Sequence, residues 1–147
     1  MRRLLISLVV TITVTGSALG TASAANRGAE KAPLVHNVFE HCSGGFINPP
    51  SPLPIGFGFA LINATEDTLI AEVSLKNALP DTTYHVALTQ LPSTTGCNVY
   101  NYTLTTNSQG TGNVHIEQPL LPGTTGAFID LWDFASDFYN SPVVVIA

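Results

Sequence analysis

The stretch Val73-Ser74-Leu75-Lys76-Asn77-Ala78-Leu79-Pro80-Asp81-Thr82-Thr83-Tyr84-His85-Val86-Ala87-Leu88 decides the fold class. Apolar and polar residues alternate on both sides of a short polar break, which is the pattern of half-buried β-strands. Pro80 and Asp81 are residues that favour a turn. Tyr84 follows the turn, and we expect its ring to be buried while its hydroxyl reaches nearby backbone. The stretch therefore predicts two strands joined by a tight corner.

The same alternation recurs before and after this stretch, and no long segment has the helical period. Turn-forming residues separate the runs every 8–15 residues or so, as in all-β sandwiches. We therefore predict an antiparallel β-sandwich of about seven or eight strands in a single domain over residues 34–147. The remaining strands are expected near Leu34–Cys42, Gly56–Ile62, Val114–Ile116, Ala127–Leu131 and Val143–Ile146, the last buried on both sides, with a proline-rich surface loop over Asn48–Pro54.

Two segments resemble immunoglobulin-like and fibronectin type III-like domains of secreted bacterial proteins. The first is Val73–Leu88 with its corner Leu79-Pro80-Asp81-Thr82-Thr83-Tyr84, and the second is Leu104–Val114, which is similar to a glycine-containing hairpin in such sandwiches. In that hairpin Gly110 and Gly112 would supply positive φ angles. The resemblance implies an immunoglobulin-like sandwich, and it brings no catalytic residue. The single tryptophan, Trp132, follows both cysteines, whereas antibody domains place theirs between the two.

The first 24 residues have the pattern of a secretory signal peptide. Arg2 and Arg3 precede an apolar run over Leu4–Val14, and Ala22-Ser23-Ala24 fits a cleavage site. The apolar run is shorter than the roughly 20 residues that span a bilayer. We therefore predict a secreted, extracellular protein whose mature form does not insert into a membrane, with residues 25–33 as a flexible leader.

The charges are few and mostly negative. Without Arg2 and Arg3 the formal net charge changes from −5 to −7. Arg27 and Lys31 fall in the predicted leader, which leaves Lys76 as the cation of the expected domain. Nucleic-acid binding needs several Lys or Arg side chains to displace counterions from phosphates. The composition therefore excludes nucleic acid as a partner and disfavours phosphate-bearing substrates.

Cys42 and Cys97 are the two cysteines of the chain. An even cysteine count in an exported chain indicates a disulfide. Such a bridge would close a long loop and stabilise the fold by about 4 kcal/mol in the chain-entropy account. We expect the two residues to be bridged rather than to bind a metal.

Several polar side chains are of the types that ligate metals or catalyse hydrolysis. His36 and His41 flank the first expected strand, but residues five apart on a strand point to opposite faces. Asp130, Asp133 and Asp137 lie close in sequence without the spacing of a calcium-binding loop. We find no catalytic constellation, so no metal, cofactor or catalytic residue is assigned.

Aromatic residues are concentrated near the end of the chain. Trp132, Phe134, Phe138 and Tyr139 lie beside acidic residues, and such a group forms a ligand patch if it faces solvent. The competing interpretation is that these rings close one end of the core. Gly56-Phe57-Gly58-Phe59 is interpreted as a strand with a bulge rather than as a ligand loop.

Two hypotheses follow. The first is a secreted, non-enzymatic β-sandwich that binds an extracellular protein or glycan. The second is a small secreted metal-binding protein or hydrolase that uses His36 and His41 or the cluster Asp130–Asp137.

Overall fold

The structure is a computed structural model that describes residues 28–36, 56–93 and 99–146. Within these ranges the chain is all-β, and its strands are β1 (Glu30–Pro33), β2 (Val35–His36), β3 (Gly58–Ala64), β4 (Thr68–Leu75), β5 (Thr83–Leu91), β6 (Tyr102–Thr105), β7 (Gly112–Pro119), β8 (Gly126–Trp132), β9 (Phe138–Asn140) and β10 (Val144–Val145). The predicted signal peptide over residues 1–24 and the predicted Cys42–Cys97 bridge lie outside the described ranges. His41 and the proline-rich loop lie outside them as well.

The strands form two antiparallel sheets. Sheet A has the order β1-β3-β4-β7, and sheet B has the order β2-β9-β8-β5-β6, with β10 also paired to β8. The register places β9 opposite residues 130–132 of β8 and β10 opposite residues 126–127, so both lie along the same edge of that strand. The predicted two-sheet antiparallel architecture is confirmed at this level.

The core forms from the alternating apolar residues of both sheets. On β4, Leu69, Ala71, Val73 and Leu75 are buried, as the period-two pattern predicts. On β5, Tyr84 and Val86 face the same cluster. Burying one leucine-sized side chain contributes about 1.5–3 kcal/mol, so these interior faces supply most of the stabilisation.

The chain crosses from sheet A to sheet B between β4 and β5, at the corner over residues 76–82. Thr106, which follows β6, is buried and ties this corner to the sandwich. Its hydroxyl donates to the carbonyl of Leu79 over 2.6 Å and accepts the N–H of Thr82 over 3.0 Å. Because these bonds satisfy backbone groups in the turn, the corner is held in one conformation.

The segment Leu104–Val114 is a second crossing rather than the predicted hairpin, because β6 pairs with β5 in sheet B while β7 pairs with β4 in sheet A. Gly110 has the expected positive φ of +70°, and a Cβ there would lie 2.1 Å from the carbonyl oxygen of Ala78. Gly112 has no positive φ. Its Cβ would instead meet Leu104 at 2.5 Å, so glycine is needed there for close packing of the two sheets.

The ends of the described fold differ from the prediction. Glu30–Pro33, assigned to the flexible leader, form β1 and pair with β3, so the domain begins before residue 34 and contains Lys31. β9 was not predicted. The closing run Val143–Ile146 is not buried on both sides, since Val145 is exposed in a two-residue edge strand. No helix long and apolar enough to cross a membrane occurs in the described part of the chain.

Candidate functional site

Four rings meet at the end of sheet B where β8 runs into the loop before β9. We call His85, Tyr100, Trp132 and Phe134 the aromatic patch. The Phe134 ring lies 4.7 Å from Trp132, 4.3 Å from His85 and 5.5 Å from Tyr100, measured between ring centroids. The contacts with Trp132 and Tyr100 are edge-to-face, which is a preferred geometry for aromatic pairs. Phe134 is therefore the centre of the patch.

The patch faces solvent in part. Trp132 is 36% exposed and Phe134 is 50% exposed, which is unusual for side chains of this size. His85 pairs with Trp132 across β5 and β8, so the two side chains share the face of sheet B turned away from the core. Trp132 and Phe134 therefore place apolar surface on the outside of sheet B, with the partly buried His85 and Tyr100 beside them.

The predicted ligand patch is divided by the structure. Trp132 and Phe134 are exposed, and Phe138 is half-buried. Tyr139 is 2% exposed and belongs to the core, because the register places it opposite Leu131, whose side chain also faces inward. His85 and Tyr100 complete the cluster in place of Tyr139. The sequence contained no signal for them, because they lie on other segments of the chain.

The loop that carries Phe134 is held by one carboxylate. Asp133 Oδ1 accepts the backbone N–H groups of Ala135, Ser136 and Asp137 over 2.8, 3.0 and 3.0 Å. Partial burial acts to raise the pKa of Asp133, but the backbone donors outweigh it and the pKa is lowered. The ionised carboxylate therefore stabilises this loop conformation.

Phe134 itself has a backbone φ of +60°. This left-handed conformation is uncommon for a bulky residue and costs roughly 1–3 kcal/mol. The ring contacts of Phe134 and the Asp133 hydrogen bonds hold the residue in this conformation. The result is an aromatic side chain presented at the surface by a well-defined loop.

Asp137 closes the loop and connects it to the core. Its Oδ1 accepts a hydrogen bond from His36 Nε2 over 2.5 Å, and its Oδ2 accepts one from the hydroxyl of Tyr84. Tyr139 lies close enough to this carboxylate for its charge to act on the tyrosine hydroxyl. Three strands, β2, β5 and β9, thus contribute to one buried acid at the base of the aromatic loop. A buried carboxylate needs such partners, because desolvation of an unpaired charge is costly.

Tyr84 joins this acid to the corner of the fold. The ring is fully buried, and the hydroxyl accepts the backbone N–H of Leu79 over 3.2 Å. Burial, followed by the hydrogen bond to Asp137, raises the pKa of Tyr84 well above its ordinary value of 10. Burial and the nearby charge of Asp137 raise the pKa of Tyr139 in the same direction. Both predicted features of Tyr84, a buried ring and a hydroxyl bonded to backbone, are confirmed.

His36 lies between this acid and two aromatic rings. Its imidazole stacks on the Tyr139 ring with centroids 4.7 Å apart. The centroid of the Phe57 ring lies 5.1 Å from that of His36. About 31% of the side chain remains exposed. His36 is thus the solvent-facing member of the Asp137 group.

The three acids of Asp130–Asp137 do not form one site. Asp130 is fully buried in β8 between the inward-facing Ile129 and Leu131, so it lies on the outer face of sheet B, whereas Asp137 contacts the core residue Tyr84. Burial, with a smaller contribution from the charge of Asp130, raises the pKa of Tyr100 to about 12. Among the described residues, no group of three or more His, Cys, Asp or Glu side chains could hold a metal ion.

The structure instead combines one residue from each predicted set, His36 and Asp137, which are 101 positions apart in sequence. No family model, curated protein or solved structure matches this chain.

Proposed function

We propose that the protein is a secreted, non-enzymatic binding module that engages an extracellular glycan or protein through the aromatic patch. The observation that carries this proposal is the exposed pair Trp132 and Phe134, packed together and presented by a loop that Asp133 and Asp137 hold at its two ends. Ordering the rings before binding reduces the entropy lost when a ligand docks. The arrangement therefore favours recognition rather than a merely structural role.

The chemistry of the patch favours an uncharged, C–H-rich ligand surface. Aromatic rings supply a large contact area with few rotatable bonds, and Trp and Tyr are enriched among the residues that dominate binding energy. The face of a sugar ring and an apolar protein side chain both offer such a surface. His85 adds a polar ring in contact with Phe134, and its nitrogens can orient the ligand.

An immunoglobulin-like type of sandwich is part of this proposal. The strands β3 to β9 can be given the immunoglobulin strand letters A, B, C, C′, E, F and G in chain order. Sheet A then contains strands A, B and E, and sheet B contains strands G, F, C and C′. This is the division of an immunoglobulin sandwich without its strand D. The hydrogen bond from Leu79 N–H to the Tyr84 hydroxyl supports the likeness, although it lies between B and C rather than between E and F.

Export and the Cys42–Cys97 bridge complete the proposal, and both rest on the sequence. Mass spectrometry of the secreted protein tests them together. We expect a mature chain that begins after Ala24 and is 2 Da lighter than its fully reduced form, as one disulfide requires. Two free thiols, or retention of residues 1–24 after export, would contradict this part.

The ligand is sought in two ways. The protein is applied to arrays of extracellular glycans, and immobilised protein is incubated with extracellular protein extracts. We expect the wild-type protein to bind at least one ligand. The Trp132→Ala/Phe134→Ala variant should bind that ligand with at least tenfold lower affinity. Leu121→Ala is the matched control, because Leu121 is an exposed apolar residue outside the patch. A ligand retained equally by the wild-type and double-variant proteins would refute the patch as the binding surface.

The second candidate is a metal-binding protein or hydrolase centred on His36 and Asp137. The 2.5 Å contact between His36 Nε2 and Asp137 Oδ1 favours it, since a histidine oriented by a carboxylate is a common unit of both kinds of site. Metal analysis of the protein purified from its native host tests this candidate. Stoichiometric zinc, copper or calcium that is lost in His36→Ala would favour it over the binding module.

A further inference from the structure

Both lysines of the chain line one surface cleft. The sequence has two lysines, Lys31 and Lys76, and the cleft of about 360 Å³ is bounded by them together with Pro33, Gly56, Gly58 and Phe59. None of these residues belongs to the aromatic patch. In a protein with a formal charge of −5, the convergence of two cations from distant segments makes this cleft a locally positive surface.

The unexpected strand β1 brings the first lysine to the cleft. Lys31 pairs with Leu61, and its ammonium group lies 4.0 Å above the centre of the Phe59 ring. This cation–π contact orients Lys31 over the outer face of sheet A. Lys76 follows directly after β4 and reaches the cleft from the other side of β3.

The backbone of the cleft offers little competing negative charge. The carbonyl oxygens of Gly56, Phe57 and Gly58 are all engaged: they accept hydrogen bonds from Asn77 Nδ2 over 2.8 Å, Lys76 N over 2.9 Å and Leu34 N over 3.2 Å. These acceptors are therefore satisfied by protein donors and do not need the lysine ammonium groups.

The carboxylates on the neighbouring strands are directed elsewhere. Glu30 alternates with Lys31 along β1, so it lies on the opposite face of the strand. Glu72 shares the outer face of sheet A but contacts His115 Nδ1 over 2.5 Å on the far side of β4. Within the part of the chain that the structure describes, no acidic residue lines the cleft.

Two glycines shape the cleft. Gly56 and Gly58 have φ angles of +117° and +114°, and a Cβ on Gly58 would lie 1.8 Å from the carbonyl oxygen of Ser74. In a regular strand Phe57 and Phe59 would share a face. Here Phe57 packs against the core while Phe59 lies outside beneath Lys31. The irregular backbone at Gly58 thus creates both the ring support of Lys31 and the floor of the cleft.

We propose that this cleft binds the oxyanion of an acidic sugar, a carboxylate or a sulfate, between Lys31 and Lys76. Two ammonium groups converging on one anion provide charge-assisted hydrogen bonds, and Pro33 with the edge of Phe59 offers an apolar surface for the sugar ring. The volume is within the range of small-ligand pockets. The site is independent of the aromatic patch, so a failure of one proposal leaves the other standing.

The two lysines give a direct spectroscopic test. Reductive methylation with ¹³C-formaldehyde labels Lys31, Lys76 and the chain amino terminus, so the side-chain signals are few and assignable with Lys31→Gln and Lys76→Gln. The protein is titrated with trigalacturonate, a sulfated galactose trimer, neutral galactotriose and sodium sulfate. Unlabelled protein is titrated in parallel by calorimetry, because methylation alters the donors.

We expect both lysine signals to shift with one or both acidic trimers, and binding to weaken at least tenfold in Lys31→Gln/Lys76→Gln and at high salt. Lys31→Arg/Lys76→Arg should retain binding, and Glu117→Gln, which changes one exposed charge elsewhere on sheet A, should leave it within twofold. A shift with only one trimer identifies the anion. Equal binding of neutral galactotriose, equal binding by the double Gln variant, or binding of free sulfate alone would each overturn the proposal, as would no binding of any probe.

Discussion

Replacing Tyr84 with phenylalanine removes one oxygen atom from the centre of the fold. Tyr84 is fully buried, and its hydroxyl donates to Asp137 and accepts the Leu79 N–H. Phenylalanine keeps the ring, so the apolar contacts and the edge-to-face contact with Tyr139 remain. The substitution therefore isolates the two hydrogen bonds that join the corner, the core and the aromatic loop.

The expected cost follows from the types of hydrogen bond. A bond to a charged group contributes about 1.5–3 kcal/mol, and a bond between neutral groups contributes about 0.5–1.5 kcal/mol. The bond to Asp137 is buried and the bond from Leu79 is partly buried, so water does not replace the first easily. We expect Tyr84→Phe to lower the free energy of unfolding by about 2–4 kcal/mol, which for a domain of this size lowers Tm by roughly 6–20 °C.

Urea and thermal unfolding, followed by circular dichroism, measure this loss. Tyr102→Phe is the matched control, because the Tyr102 hydroxyl donates to the Glu117 carbonyl over 3.2 Å at the surface. We expect that control to cost less than about 1 kcal/mol. If Tyr84→Phe costs no more than Tyr102→Phe, the interpretation of Asp137 and Tyr84 as the link between the corner and the loop is refuted.

Three further predictions concern the glycines, the loop and the tyrosines. Gly58→Ala should destabilise the fold by at least about 3 kcal/mol in urea unfolding, because the added Cβ would overlap the Ser74 carbonyl. Gly123→Ala is the control: Gly123 has a φ of +83° with open space around it, so this substitution should cost about 1 kcal/mol. Asp133→Ala should destabilise the fold by about 1–2 kcal/mol and loosen the loop that carries Phe134. Asp133→Asn keeps an acceptor oxygen and should recover part of this loss. Hydrogen exchange of the loop amides distinguishes the two variants. Folding raises the pKa values of Tyr84, Tyr100 (to about 12) and Tyr139 above the unfolded value of 10. The stability that these tyrosines contribute is therefore fully present below pH 10 and is lost as the pH rises from 10 through about 12. An unfolding free energy that stays constant between about pH 9 and 11.5 would contradict this.

The strands that alternate regularly could be predicted from sequence. Leu69–Leu75 alternates with a period of two except at Ile70, and its alternate residues Leu69, Ala71, Val73 and Leu75 are buried on one face of β4. The corner at Tyr84 was predictable because proline, aspartate and a tyrosine act locally within a few residues. These features depend on short-range chemistry, which the sequence contains directly.

The residues of the Asp137 group and of the lysine cleft could not be predicted in the same way. The Asp137 group joins His36, Tyr84 and Tyr139, which are far apart in sequence and meet only through strand order. The Lys31 cleft depends on β1, a short polar strand whose pairing with β3 compensates for a weak apolar pattern. It also depends on the change of face at Gly58, which interrupts the period-two rule on which the strand prediction rests.

The fluorescence of Trp132 tests the central claim most directly. Trp132 is the single tryptophan of the chain and lies in the aromatic patch, so its emission reports on that surface alone. The measurement is acrylamide quenching with and without the ligand retained on the arrays. We predict ready quenching in the free protein and at least twofold weaker quenching in the complex, with Phe134→Ala abolishing the ligand effect. Quenching that is unchanged at saturating ligand would contradict the assignment of the aromatic patch as the binding surface.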